Sequence, residues 1–248
     1  MRTIRAAIKI VLFVGSTLGL YWSWYILRVL MPDKVRWRQR IFGAWTWSFV
    51  SISNMRIEVI GNPPQPPFFL VTNHLSYTDI PAIRNAAKGI FVAKAEVETW
   101  PVAGRICRDM GTIFIDRSNR RDIPRAGELI VERLDMGEGV VVFPEGKATN
   151  GDDVDPFNSS FLEFAAQGDI PVSYASITYT TPEGETPANQ AACWWEDISF
   201  FAHLWRLFKV SEYTATITFG EEPVMNPDRK LLAAELRQRV AETFVPVK

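Results

Sequence analysis

Cysteine and histidine are the scarcest reactive residues of this 248-residue chain, with two of each. The cysteines, Cys107 and Cys193, share no spaced pattern, which excludes a disulfide framework and fits reduced, buried thiols. With so few soft ligands a zinc centre has no ligand set, and no metal site is expected. Net charge is nearly absent too, at −1. A nucleic-acid partner would want bases spread over the folded part and is not expected. The chain has no internal repeat and no low-complexity tract.

The near-neutral sum conceals an asymmetry. Residues 1–40 hold eight Arg or Lys and one acid, Asp33, for +7, whereas the other 208 hold 19 bases and 27 acids, for −8. A basic start on an acidic body points to anionic membrane lipid near the N-terminus. Ile10 to Leu27 form an uncharged run of 18 residues, about 27 Å as a helix and near the lower limit for crossing a bilayer. Tyr21, Trp22, Trp24 and Tyr25 crowd its C-terminal end, where amphipathic rings favour the headgroup level. A second segment, Lys34 to Val50, is basic and then apolar, too short in its apolar part to span alone but able to lie in the interface. A cleaved signal peptide is disfavoured, because bulky aromatics and Arg28 stand where small residues are needed. Bases flank both ends of the run, so whether it spans or stays in one leaflet is left open.

After residue 54 short apolar runs alternate with helical periodicity. Strands are expected at 56–60, 68–72, 90–93, 111–115, 139–143, 170–178 and 214–219, and helices near 80–87, 123–136 and 228–245. The pattern predicts an α/β fold: a mixed, mostly parallel sheet covered by helices on both faces, preceded by an N-terminal membrane-embedded helical hairpin. The division falls between residues 1–54, a membrane-anchoring segment, and 55–248, a catalytic domain.

Three strands end in polar clusters unsuited to a core: Asn73-His74 with Asp79, Asp116-Arg117, and Pro144-Glu145-Gly146-Lys147. Such ends can converge on one crevice. A histidine there can take a proton if a carboxylate holds its other nitrogen and fixes the tautomer.

These blocks resemble the glycerolipid acyltransferase family, the 1-acylglycerol-3-phosphate (lysophosphatidate) acyltransferases. Asn73-His74-(four residues)-Asp79 is similar to its His-x4-Asp block. Gly111-Thr112-Ile113-Phe114-Ile115-Asp116-Arg117 matches the second block, Phe143-Pro144-Glu145-Gly146 the third, and Ile170-Pro171-Val172 the fourth. The resemblance implies transfer of an acyl group from acyl-CoA or acyl carrier protein, as co-substrate and with no cofactor, to a lysophospholipid hydroxyl. His74 would be the general base and Asp79 its partner, while Asn73, Phe114, Arg117, Glu145, Gly146 and Lys147 would surround the substrate, with Arg117 on the acceptor's phosphate. It also implies the inner (cytoplasmic) membrane, with the catalytic domain facing the cytoplasm and membrane lipids as partners.

One departure bears on the acceptor. Many members continue the third block as Glu-Gly-Thr-Arg; here Lys147 follows Gly146, keeping a charge but not the bidentate fork of arginine. Lysophosphatidate leads on the resemblance, and another lysolipid, such as lyso-ornithine lipid, is the alternative. A His–Asp-assisted hydrolase and a non-catalytic lipid-binding protein are the competing classes. His203, in the aromatic stretch 194–208, is read as structural.

Overall fold

The computed structural model describes residues 2–116, 119 and 121–248. Two long helices, α1 (Arg2–Leu27) and α2 (Lys34–Ser53), form a hairpin. There follow β1 (Met55–Ile60), β2 (Phe68–Thr72), α3 (Asp79–Ala86), β3 (Gly89–Lys94), α4 (Ala95–Glu98), α5 (Ala103–Asp109), β4 (Ile113–Ile115) and α6 (Asp122–Asp135). Then come β5 (Gly139–Val142), a 3-10 turn (Ser159–Leu162), α7 (Glu163–Gln167), β6 (Val172–Thr180), α8 (Ala188–Ala191), α9 (Phe200–Lys209), β7 (Tyr213–Phe219) and α10 (Arg229–Thr243). All seven expected strands form. The fourth is shorter than expected, because Gly111 (φ +93°) turns the chain before the strand begins.

The strands make one sheet in the order β1-β7-β6-β2-β5-β3-β4. Every neighbouring pair is parallel except β6 with β7. The mixed, mostly parallel sheet read from the sequence is the one that forms. Its central strands are apolar throughout because both faces are covered. Leu70 and Val141 face a layer built by α2, α3 and α9, while Phe69, Val71, Val140 and Val142 face one built by α6, α7 and α10. β2, β5 and β4 run the same way, so their C-terminal ends share one edge of the sheet.

The hairpin packs against this body. Phe13 of α1 meets Phe49 and Phe208 edge-on, at 5.5 and 6.2 Å between ring centroids, and Phe42 of α2 meets Phe91 of β3 at 6.2 Å. Both ends of α1 are tied down: Arg2 lies 3.5 Å from Glu185, and the Tyr21 hydroxyl donates to Asp109 at 2.7 Å. Lys9 does not reach for water. It is buried and donates to the carbonyls of Ser53 (2.9 Å) and Val210 (3.2 Å), the open ends of α2 and α9. Arg5, one turn earlier, bonds the Lys209 carbonyl. The opposite side of α1 is bare. Ile4, Ile8, Val11, Val14, Leu18, Trp22 and Ile26 recur every three or four residues and are exposed. Among the described residues, α1 is the one helix long and apolar enough, by length and composition, to cross a membrane.

Candidate active site

The turn after β2 carries the leading candidates. Thr72 closes the strand, and Asp79 opens α3 with its carboxylate turned back over residues 74–76. Asp79 Oδ2 accepts from the amides of Leu75 (2.7 Å) and Ser76 (3.0 Å) and lies 2.8 Å from His74 Nδ1. Its other oxygen accepts the Tyr179 hydroxyl at 2.7 Å, and that hydroxyl in turn accepts from Thr78 at 3.0 Å. A carboxylate oxygen accepts, so the His74 proton sits on Nδ1 and the lone pair of Nε2 is left free. The imidazole stacks on Phe143 at 4.1 Å between centroids, and its side chain is 21% exposed while Asp79 is fully buried. A buried acid orienting a ring that still reaches the outside is the geometry of a general base.

The third block braces this turn. Glu145 accepts from the His74 amide (2.8 Å) with one oxygen and from the Asp155 amide (2.9 Å) with the other. Burial pushes its carboxyl pKa up to about 8, against the pull of those two amides. The Thr149 amide donates to the His74 carbonyl at 3.0 Å. Both oxygens of Glu145 thus hold backbone amides. Gly146, at φ +75°, makes the turn that allows this, its amide returning to the Phe143 carbonyl at 3.0 Å. Asn73 likewise turns inward: it is buried and clasps Ile177 of β6, donating to its carbonyl (2.9 Å) and accepting from its amide (2.8 Å). Asn73 and Glu145 thus both have their side chains engaged with backbone partners. Lys147 points away into solvent and pairs with Asp155 at 3.3 Å.

The second block lies at the edge of the sheet. Arg117 lies outside the described residues. Phe114 is buried in β4, and its carbonyl accepts from Arg125 Nη2 at 2.7 Å. Arg125, one turn into α6, also pairs with Asp122 at 2.5 Å, which holds the Asp122 carboxyl below its usual range. Asp122 accepts the Asp116 amide at 2.7 Å. These residues, with Glu98, Thr112, Leu129 and Arg133, line a cavity of about 360 Å³. Sequence reasoning passed over Arg125, since a single arginine at the start of an amphipathic helix carries no spacing signal.

His203 is buried, and it touches the His74–Asp79 turn. Burial lowers its pKa to about 4, so the ring is neutral. Nε2 donates to the Cys193 carbonyl (3.0 Å), which leaves Nδ1 to accept from the Tyr77 hydroxyl (3.0 Å), and Tyr77 belongs to the His74–Asp79 turn. The Trp194 amide donates to the Leu75 carbonyl of the same turn at 2.8 Å. Cys193 is buried and Cys107 half-buried; both are free thiols whose pKa burial pushes up. No group of three metal-ligating side chains occurs among the described residues.

The acyltransferase family model matches residues 56–178, which hold all four blocks. A lyso-ornithine lipid O-acyltransferase of Pseudomonas aeruginosa is 30% identical over 97% of this chain and 92% of its own length. A second enzyme of that name, from Rhodobacter capsulatus, is 32% identical over 92% and 84%. The 1-acyl-sn-glycerol-3-phosphate acyltransferase of Neisseria gonorrhoeae is 29% identical over 64% of this chain and 63% of its own. The crystal structure of PlsC, the 1-acyl-sn-glycerophosphate acyltransferase of Thermotoga maritima, has the same fold, with a TM-score of 0.67 over 98% of this chain and 97% of that one, at 23% identity. Its likeness reaches through the N-terminal hairpin as well as the sheet, and with the relatives it leads to one conclusion: this chain belongs to the acyltransferase family.

Proposed function

We propose that the protein transfers an acyl group from an acyl thioester, of coenzyme A or acyl carrier protein, to the free hydroxyl of a lysolipid. The observation that carries this is the free Nε2 of His74, oriented through Nδ1 by a buried Asp79. Nε2 takes the hydroxyl proton as the oxygen attacks the thioester carbonyl. The tetrahedral oxyanion then collapses, the C–S bond breaks, and the thiolate leaves with the proton returned from the imidazolium. Asp79 stabilises that imidazolium. No covalent acyl-enzyme is needed, because the acceptor supplies the nucleophile.

Of the two acceptors the sequence raises, lyso-ornithine lipid has the better support, ahead of the 1-acylglycerol-3-phosphate that the motifs put first. Relatives named for lyso-ornithine lipid align over nearly the whole chain, hairpin included, whereas the lysophosphatidate relative aligns over 64% of it. The third block also supplies no cation to a phosphomonoester, since Lys147 is solvated and paired with Asp155. Arg125 beside the second block is what favours lysophosphatidate as the second reading. Purified protein offered both lysolipids with a labelled acyl thioester tests the order. Preferential labelling of lyso-ornithine lipid is expected, and a preference for lysophosphatidate would reverse the assignment.

The bare stripe of α1 and exposed Trp47, Val29, Leu30 and Phe201 support seating in a membrane. A helix tied to the folded body at both ends suits one leaflet better than a crossing. The cytoplasmic face of the inner membrane is the location proposed, where acyl thioesters are made.

A further inference from the structure

Three guanidinium groups lie together behind the hairpin with one carboxylate among them. Arg38 of α2 grips Glu138 with Nη2, at 2.8 and 2.7 Å from its two oxygens, and donates from Nη1 to the Met110 carbonyl at 3.0 Å. Arg133, in the last turn of α6, stands 3.6 Å from the same carboxylate. Arg84 of α3 reaches the group only through Gln39, whose carbonyl and side-chain oxygens it bonds, while the Gln39 amide bonds Glu138. Nε and Nη1 of Arg84 and Nε of Arg133 are buried without a hydrogen bond. Burial pulls the Arg84 pKa down to about 10, with Arg38 repelling it further and Glu138 opposing. Glu138 can balance one of these cations. Buried charge left over calls for another anion.

A cavity of about 480 Å³ opens on the same group, with Arg38 and Arg133 in its wall beside Arg28, Lys34 and Trp24. That volume falls in the range of small-ligand sites. No acid lines it. Lys34 begins α2, whose N-terminus the Asp33 carboxylate already caps by accepting the Arg36 amide at 2.8 Å, so the positive charge of the wall comes from its four cationic side chains. Arg28 is held over the rings of Trp24 (5.1 Å) and Tyr25 (4.3 Å). The adjoining turn bears Val29 and Leu30, 81% and 74% exposed. A basic floor beside an apolar edge matches one chemistry: a phosphate with hydrocarbon attached.

We propose that this cavity binds the phosphate of an anionic membrane lipid as a site separate from the catalytic turn. The bound anion sets a second negative charge beside Arg38 and Arg133, the two members of the cluster that line the cavity. Arg38 carries its effect to the second block, since it bonds Met110 and fills the space beside Gly111, where an added Cβ would lie 1.5 Å from Nη1. Arg133 also lines the cavity beside Phe114, so the filled site steadies the wall of the crevice. The inference rests on the membrane seating of the hairpin and not on the acceptor's identity.

The test measures binding without turnover, so its failure is distinct from a failure of the acyl-transfer reading. Full-length protein is sedimented with phosphatidylcholine vesicles, with and without phosphatidylglycerol. Phosphatidylglycerol should tighten binding of the wild type. Lys34→Gln and Arg133→Gln should each reduce that gain roughly fivefold and leave binding to phosphatidylcholine unchanged, as the apolar stripe sets it. Arg40→Gln, an exposed position on α2 outside the cavity, is the control, expected to lose distinctly less. If Arg40→Gln loses as much as Lys34→Gln, the attraction is a diffuse surface effect and the site does not exist. The site is refuted equally if both cavity variants gain as much as wild type. In detergent, short-chain phosphatidylglycerol should raise the thermal midpoint of the wild type and not of Lys34→Gln. Should inorganic phosphate alone match it, the site is one for free phosphate and the lipid assignment fails.

Discussion

The two histidines stand at opposite ends of one hydrogen-bonded unit and do opposite things. His74 has one nitrogen held by Asp79 and the other open; His203 has both nitrogens occupied, by Tyr77 and the Cys193 carbonyl. The first sits at a strand end against the rim, the second on a buried face of α9. The difference teaches that chemistry depends on which ring atom is left over, not on how polar the surroundings are. Buried His203 is the more thoroughly satisfied ring, and for that reason it can only support.

The sharpest way to break the contrast is His74→Ala. Removing the base should lower kcat by about 10²–10⁴-fold with the fold intact, measured by acyl transfer and by the unfolding midpoint. Unchanged turnover would reduce His74 to the status of His203. Tyr179→Phe comes next. It removes the side-chain donor on Asp79 Oδ1, a hydrogen bond to a charged group, and should lower kcat roughly tenfold with KM unchanged. A fall seen only in stability would mean that the tyrosine merely packs.

Two titrations sharpen the comparison from the stability side. His203 has a pKa depressed to about 4, so it adds stability that is complete above its unfolded value of 6.5 and is lost as pH falls towards 4. His203→Phe should flatten that acid-side loss while costing about 1–3 kcal/mol near neutrality, since the Tyr77 hydroxyl and Cys193 carbonyl lose their partner. Glu145 is the mirror case. Its folded pKa of about 8 lies above the unfolded 4.5, so its contribution is full below 4.5 and disappears as pH rises through 8. Chemical denaturation of Glu145→Gln across that range should show a shallower decline; an identical slope would mean that this carboxyl does not titrate there. The smallest effect belongs to Lys147→Ala, which should change stability by less than about 1 kcal/mol and leave activity near wild type, as an exposed ion pair contributes little.

The sheet and the four blocks were legible because each block sits where an apolar run stops, and that boundary is written in composition. Roles inside the blocks were not. A polar side chain at a strand end can face a ligand or clasp a neighbouring backbone, and residue type alone does not tell which; Asn73 and Glu145 turned out to clasp. Tyr179 was invisible because one tyrosine in the apolar strand β6 breaks no pattern. The helices α4, α5, α7, α8 and α9 were missed for a related reason: most are a single turn or two, and α9 is so aromatic that its period is hidden. The role of Lys9, which precedes the uncharged run, was hidden as well, since spacing cannot reveal a carbonyl offered by residue 210.

That lysine limits how the protein can be cut. Deleting the first helix to make a detergent-free enzyme would remove more than greasy surface: it would uncap α2 and α9 together, at the Ser53 and Val210 carbonyls. Solubilising changes should instead replace the outward Ile4, Ile8, Val11 and Leu18 with polar residues while retaining Arg5 and Lys9. In this molecule the apolar helix is also a fastener.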